Sequence, residues 1–229
     1  FFVKDLMEDL DLDFAVTYNG QYIFNKDRVL FTSPLSKSHL RQLIAYAKKE
    51  GKEIALGTKD AMLGSKIMSF GLGSFSQRVS RFVPSMLTRT VSHSFNRMVS
   101  KVVPQKEEDL LQLMNQPIYQ VLMLMTPEES EKAAADFHDL KLTRSNPFAA
   151  DVINQGNSKL EGIRRVGKEY GFELNQVMAF GDSDNDLEML AGVGMSVAMG
   201  NGSSSVKEVA KHITTSNQQD GIHKALEHF

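Results

Sequence analysis

From residue 155 to the end, strand-like apolar runs and amphipathic helical runs take turns. The pattern reads as helix 158–170, strand 177–180, helix 185–190, strand 195–199, helix 205–211, strand 212–215 and helix 221–229. Short apolar strands separated by helices are joined by crossovers, so they pair in parallel, and a parallel sheet is covered by helices on both faces. This alternation commits the last third of the chain to the α/β class. At the other end, Phe14-Ala-Val-Thr-Tyr18 reads as a buried strand ended by the turn pair Asn19-Gly20. An amphipathic helix precedes it, with Phe2, Val3, Leu6 and Leu10 at helical spacing.

The middle has a different rhythm. Two strand-like runs, 21–24 and 28–32, lead into a helix at 36–50 with Leu40, Leu43, Ile44 and Ala47 on one face and Gly51 as its stop. After a strand at 53–56, residues 61–106 carry seven basic residues and no acidic one. A continuous apolar strand follows at 118–125. Thr126-Pro-Glu-Glu129 then makes a capping box with proline at the first helical position, opening a helix to about 138. Two further strands are expected at 140–144 and 148–153. Strand–helix–strand content of this kind describes a compact α+β unit, so the expected organisation is a discontinuous α/β core, residues 1–20 and 155–229, with residues 21–154 inserted into it.

Composition narrows the partners. With 26 basic and 28 acidic residues in 229, the net charge is −2, which excludes a generally basic nucleic-acid coat or a polybasic membrane binder. The chain has no cysteine, hence no disulfide framework, thiolate nucleophile or cysteine-ligated zinc. The longest apolar runs, such as Val121-Leu-Met-Leu-Met125, fall far short of the ~18 residues of a bilayer span, and no signal-peptide pattern opens the chain. A soluble, cytoplasmic protein is expected, with no nucleic acid or membrane as partner and a monomer as the default state.

The sharpest chemical signal is Phe180-Gly-Asp-Ser-Asp-Asn-Asp-Leu-Glu-Met-Leu190. An apolar strand ends at Gly181 and three carboxylates follow, Asp182, Asp184 and Asp186, where open α/β sheets bind their ligands. The three repel one another, and a hard cation such as Mg²⁺ offsets that repulsion. Helix capping alone needs fewer acids than this. An EF-hand loop is excluded because its sixth and twelfth positions would be Leu187 and Val193. Gly192-Val-Gly194 is no dinucleotide fingerprint, since Val197 stands where the third glycine belongs.

The second signal is Gly156-Asn-Ser-Lys-Leu-Glu161. Ser158 and Glu161 read as a capping box, which sets Lys159 at the first position of a helix, against the helix dipole. An anion held at that N-terminus would make the lysine favourable there; a lysine that points away into solvent is the plainer alternative. Taken together, the carboxylates, Lys159 and the hydrogen-bonding Asn185 fit a phosphate site.

At these residues the chain resembles the haloacid dehalogenase superfamily, specifically its Cof-type phosphatases with a large α/β cap. Lys159 resembles that family's third motif and Gly181-Asp-Ser-Asp-Asn-Asp186 its fourth, while 196–201, 215–217 with Asp220-Gly221, and the strand ending in Asn19-Gly20 are similar to further segments. The resemblance implies a Rossmann-like parallel-sheet core with an inserted α+β cap. It also implies Mg²⁺ held by Asp182 with support from Asp186, a phosphoryl group held by Lys159 and Asn185, and Asn19 binding substrate in the cleft between cap and core; for Asn19-Gly20 a plain hinge turn is the alternative. The implied reaction removes phosphate from a small phosphorylated metabolite through an aspartyl-phosphate. A phosphosugar mutase of the same fold, or a non-catalytic phosphometabolite-binding protein, are the alternatives. The family's nucleophile, an Asp-x-Asp on the first core strand, has no counterpart here, because Asp11 and Asp13 stand before their strand rather than after it. An upstream segment is therefore expected to be missing, and the chain as given is expected to be inactive.

Overall fold

A computed structural model describes residues 2–65, 102–105, 110 and 112–229. The basic stretch noted within 61–106 lies almost wholly outside the described residues. Among the described residues no helix is long and apolar enough to cross a membrane.

Helix α1 (Phe2–Asp9) precedes β1 (Phe14–Thr17). A tight turn at Tyr18–Gly20 carries the chain into β2 (Tyr22–Asn25) and β3 (Val29–Thr32). These three strands form an antiparallel sheet in the order β1-β2-β3, with Phe14 opposite Asn25 and Thr17 opposite Tyr22. The pairing of β1 departs from expectation, since among the described residues it joins this hairpin sheet and not the parallel one. Helix α1 also buries a different face from the expected one. Met7 is 3% exposed and packs with Val3 onto Ala15 and Phe24, whereas Leu6 and Leu10 are 42% and 60% exposed.

Next come α2 (Lys37–Lys49), β4 (Ile54–Gly57), β5 (Met62–Ser65), β6 (Val102–Gln105), β7 (Gln120–Leu124), α3 (Pro127–Ala134), β8 (Leu140–Asn146) and β9 (Ala149–Asn154). Ser36 caps α2 by accepting from the His39 backbone N–H, and Thr126 with Glu129 forms the expected capping box at α3. The strands make one six-stranded sheet, β6-β5-β4-β7-β9-β8, antiparallel except where β5 meets β6. Side chains alternate across a strand, so Ile54 and Leu56, Val121 and Met123, and Ala150 and Val152 share one face. That face packs against Leu40, Leu43 and Ala47 of α2 and against Ala133 and Phe137, in the largest apolar cluster of the described residues. A fully buried leucine such as Leu40 or Leu43 contributes about 2 kcal/mol there. The same alternation turns Gln120, Leu122 and Asp151 to the opposite face of the sheet.

The last third is α4 (Lys159–Tyr170), β10 (Met178–Gly181), α5 (Leu187–Gly192), β11 (Met195–Ala198), α6 (Ser204–Val209), β12 (His212–Ile213) and α7 (Gly221–His228). As expected, its strands are parallel, in the order β10-β11-β12. Leu160 and Ile163 of α4 pack with Met189 and Val193 over Ala179, while Leu190 and Val206 pack with Ala198. One expected detail fails at α4. Ser158 accepts from the Glu161 backbone N–H, but the Glu161 carboxylate pairs with Arg164, so the capping box is only half made.

Candidate active site

The chain leaves the parallel sheet at three neighbouring points, after β10, β11 and β12, and the loops there interlock. Asn201, after β11, accepts from the Asn217 backbone N–H at 2.9 Å and reaches Asp182, after β10, at 3.5 Å. Ser203 donates to Asp184 at 3.2 Å. This is the rim at the carboxyl ends of parallel strands, where α/β sheets place their ligands.

The loop after β10 is shaped by Asp186. Its Oδ2 accepts the backbone N–H groups of Asp182 and Ser183 at 3.0 and 3.2 Å, and its Oδ1 accepts Lys159 Nζ at 2.6 Å. The carboxylate can fold back because residue 181 is glycine: a Cβ there would stand 2.7 Å from the Asp186 Cβ. Asp186 is 4% exposed and both its oxygens are engaged. Asp182, in contrast, is exposed, with Ser183 Oγ donating to its Oδ1 at 2.9 Å. The carboxylates of the motif thus do different work. Asp186 holds the loop and the lysine, and Asp182 faces outward.

Lys159 arrives from the first turn of α4 and lies between two acceptors, Asp186 Oδ1 and Asn185 Oδ1, the latter at 3.3 Å. The charge that balances it at the helix N-terminus is therefore the Asp186 carboxylate. Asn185 Nδ2 in turn donates to Asn19 Oδ1 at 3.4 Å. Asn19 belongs to the turn after β1, where Tyr18, Asn19 and Gly20 have φ of 51°, 51° and 89°. Gly20 takes this conformation freely, but Tyr18 and Asn19 do so at a cost that the surroundings must offset. Here they do. Tyr18 Oη donates to the Thr58 carbonyl at 2.7 Å, and Arg165 of α4 donates to the Gly20 carbonyl at 3.1 Å. Gly20 sits so close to α4 that a Cβ would stand 2.3 Å from the Ser158 carbonyl oxygen. Burial pushes the Tyr18 hydroxyl up to about 12, so it remains a donor at neutral pH.

Sequence reasoning missed two residues here. Gln120 on β7 and Asp151 on β9 are 8% exposed each and face the turn: Asn19 Nδ2 reaches Gln120 Oε1 at 3.2 Å and Asp151 Oδ2 at 3.5 Å, and Gln120 Nε2 donates to Asp151 Oδ1 at 2.7 Å. Burial pushes the Asp151 carboxyl up to about 6, although the Asn19 hydrogen bond and the charges of Lys159 and Arg144 pull it down. A lone acid inside the apolar run Ala149-Ala-Asp-Val-Ile153 was the available signal, because an unpaired carboxylate is rarely buried without cause. Lys141 of β8 forms an ion pair with Glu188 of α5, a further tie between the six-stranded sheet and the loop region after β10.

Lys159, Asn185, Asp186, Asp182 and Asn19 are therefore one assembly. Asp11 and Asp13 stand apart from it. Both are exposed at the start of β1, the opposite end from Asn19, and Asp11 pairs with Lys26. Among the described residues, no three His, Asp or Glu side chains converge as a metal-ligand group.

A model of the family described as haloacid dehalogenase-like hydrolase matches residues 1–226 of this chain. "Putative phosphatase YkrA" of Bacillus subtilis (strain 168) is 30% identical over 226 residues, 99% of this chain and 79% of that protein. The 5-amino-6-(5-phospho-D-ribitylamino)uracil phosphatase YcsE of the same organism is 41% identical over 91 residues, 40% of this chain and 36% of that protein. Among solved structures, the haloacid dehalogenase subclass IIB sugar phosphatase BT4131 matches with a TM-score of 0.77 at 25% identity, covering 98% of this chain and 79% of that one.

Proposed function

This chain belongs to the haloacid dehalogenase-like hydrolase family, and from that premise we propose that its site binds the phosphoryl group of a small phosphorylated metabolite for Mg²⁺-dependent phosphate removal. The observation that carries the reading is the meeting of Lys159 with Asn185 and Asp186 beside the outward-facing Asp182, at the carboxyl end of β10. In this reading Lys159 and the amide of Asn185 hold phosphoryl oxygens, and Asp186 keeps the ammonium in place. Asp182 is the metal ligand. One exposed carboxylate with water and phosphate oxygens suits Mg²⁺, which keeps several waters and needs no all-protein cage. Bound there, Mg²⁺ supplies positive charge against the phosphoryl oxygens.

The family's aspartyl-phosphate route needs a carboxylate that attacks phosphorus in line while the alcohol leaves, and water then cleaves the acyl phosphate. Asp11 and Asp13 point away from the site and Asp186 is engaged, so the roles assigned here are binding, positioning and metal holding. Under this reading the 229-residue chain binds phosphate without turning over. The inserted cap is taken to run from after β3 to about residue 154, later than the sequence boundary at 21, because β1, β2 and β3 share one sheet. Sugar phosphates and 5-amino-6-(5-phospho-D-ribitylamino)uracil, the substrates named for similar phosphatases, are the first to test, and a cytoplasmic setting belongs to the same proposal.

The deciding experiment is calorimetric titration of the 229-residue chain with inorganic phosphate, with and without Mg²⁺. Affinity that rises with Mg²⁺ and falls about a hundredfold in Lys159→Ala is the expected result. Affinity indifferent to both would overturn the reading.

A further inference from the structure

The side chains of Asn19 and Asn185 are amides, each with an acceptor end and a donor end, so fixing one end fixes the other. Followed outward from Lys159, every hydrogen bond runs in the same direction. Lys159 Nζ donates to Asn185 Oδ1 at 3.3 Å, Asn185 Nδ2 to Asn19 Oδ1 at 3.4 Å, and Asn19 Nδ2 to Asp151 Oδ2 at 3.5 Å. A side branch reaches the same carboxylate, with Asn19 Nδ2 donating to Gln120 Oε1 and Gln120 Nε2 to Asp151 Oδ1 at 2.7 Å. The series starts at a group that can only donate and ends at one that, ionised, can only accept. Both ends thus enforce one orientation of the two amides between them.

We propose that Asp151 is a positioning residue for the phosphate-holding pair Lys159 and Asn185, acting through Asn19. The proposal rests on the reading of Lys159 and Asn185 given above. An acceptor at 151 obliges Asn19 to turn its NH₂ toward the six-stranded sheet and its oxygen toward Asn185. Asn185 must then present its NH₂ to Asn19 and its oxygen to the lysine. With an apolar group at 151 the series is held from the Lys159 end and by Gln120 alone, Asn19 turns over more easily, and a turned Asn185 would put an NH₂ against the Lys159 ammonium.

Two further observations favour this over a merely structural acid. Among the described residues Asp151 accepts from amides and from no cation, an arrangement that stability alone would replace by a neutral residue. The turn it holds is strained at two successive residues, Tyr18 and Asn19, and strain of that kind persists where a side chain must be aimed. Because Gln120 and Asp151 lie on the six-stranded sheet while Asn185 and Lys159 lie on the α/β part, the orientation of the phosphate-holding groups depends on the two being seated together.

The test uses the 229-residue chain and the variants Asp151→Leu, Asp151→Asn, Asn19→Ala and Asp151→Leu with Asn19→Ala. Two quantities are read: the ¹⁵N–¹H side-chain signals of Asn185, and the affinity for inorganic phosphate. Asp151→Leu and Asn19→Ala are each expected to move the Asn185 signals and to weaken phosphate about tenfold, with the double variant no worse than either single one. Unmoved Asn185 signals in a folded Asp151→Leu protein, or losses that simply add, would overturn the proposal. Should Asp151→Leu fail to fold, the smaller Asp151→Ala also removes the acceptor, and Asn185 signals unchanged from wild type in it would have the same force; Asp151→Asn, which keeps an acceptor oxygen, is expected to leave those signals near wild type. If phosphate binds none of the proteins, including wild type, the functional reading fails, while the Asn185 signals still decide whether Asp151 orients it.

Discussion

Lys159 and Asp186 form an ion pair with Nζ 2.6 Å from Oδ1, in which the carboxylate side chain is 6% exposed and the ammonium side chain 34%. The other carboxylate oxygen takes two backbone N–H groups from the loop after β10. One side chain therefore sets both the loop and the lysine.

Asp186→Ala should destabilise the protein by about 3 kcal/mol, because it strands a half-buried ammonium and two backbone donors together. Asp186→Asn retains an acceptor for the loop and should cost less. Urea unfolding of both variants measures this, and equal losses would show that the retained acceptor does nothing for the loop and that the whole effect lies in the carboxylate's charge.

Asp182→Asn should behave in the opposite manner. Its side chain is exposed, and its hydrogen bonds, from Ser183 Oγ and at 3.5 Å from Asn201, lie at the surface, so unfolding stability should change by less than about 0.5 kcal/mol. Mg²⁺ affinity should drop at least tenfold, and Mg²⁺ should no longer strengthen phosphate binding. Calorimetry with Mg²⁺ alone is the check; unaltered affinity would remove Asp182 from the metal site.

Gly20→Ala combines two penalties. The residue has φ of 89°, and the added Cβ would stand 2.3 Å from the Ser158 carbonyl oxygen. A loss of roughly 3 kcal/mol or more is expected in thermal unfolding, with phosphate affinity falling as the Asn19 turn shifts against α4. Wild-type stability in this variant would contradict the close approach of turn and helix.

Asp151 makes stability depend on pH. Its carboxyl is pushed from 3.8 up to about 6 in the folded protein. Between those values the native state holds a proton that the unfolded state has lost, so the contribution is complete below about pH 3.8 and disappears as pH rises through 6. The span corresponds to about 3 kcal/mol. Relative to Asp151→Asn, wild type should therefore lose stability on going from pH 4 to pH 7, as read from urea midpoints at each pH. Parallel pH curves for the two proteins would show that this carboxyl titrates normally.

How far the site could be read in advance follows from what each residue's evidence consists of. Asp182, Asn185 and Asp186 stand within one loop, and Lys159 is next to a capping serine, so short-range spacing exposed all four. The motif did not show that its carboxylates divide their work, since Asp186 turns inward only because Gly181 leaves room and Lys159 comes from another helix. Gln120 and Asp151 were hidden for a different reason. Each is an isolated polar residue in an apolar strand, and its partner Asn19 lies more than a hundred positions away. Similarly, helical periodicity gave Leu6 and Leu10 of α1 the same standing as Val3, yet the helix buries Met7 instead because it lies along β1 and β2.

The order of elements outside 61–106, the parallel character of the last three strands, the capping residues Thr126 and Ser158, and the carboxylate motif after β10 were all determined by the sequence itself. Those features depend on hydrogen bonds and side-chain periods within a few residues, which a linear pattern records. Only the tertiary structure decided that β1 pairs with β2, which face of α1 is covered, and that Asp151 meets Asn19. These are set by sheet register and by packing between segments far apart in the chain, and a one-residue change of register in β9 would have turned Asp151 to the other face.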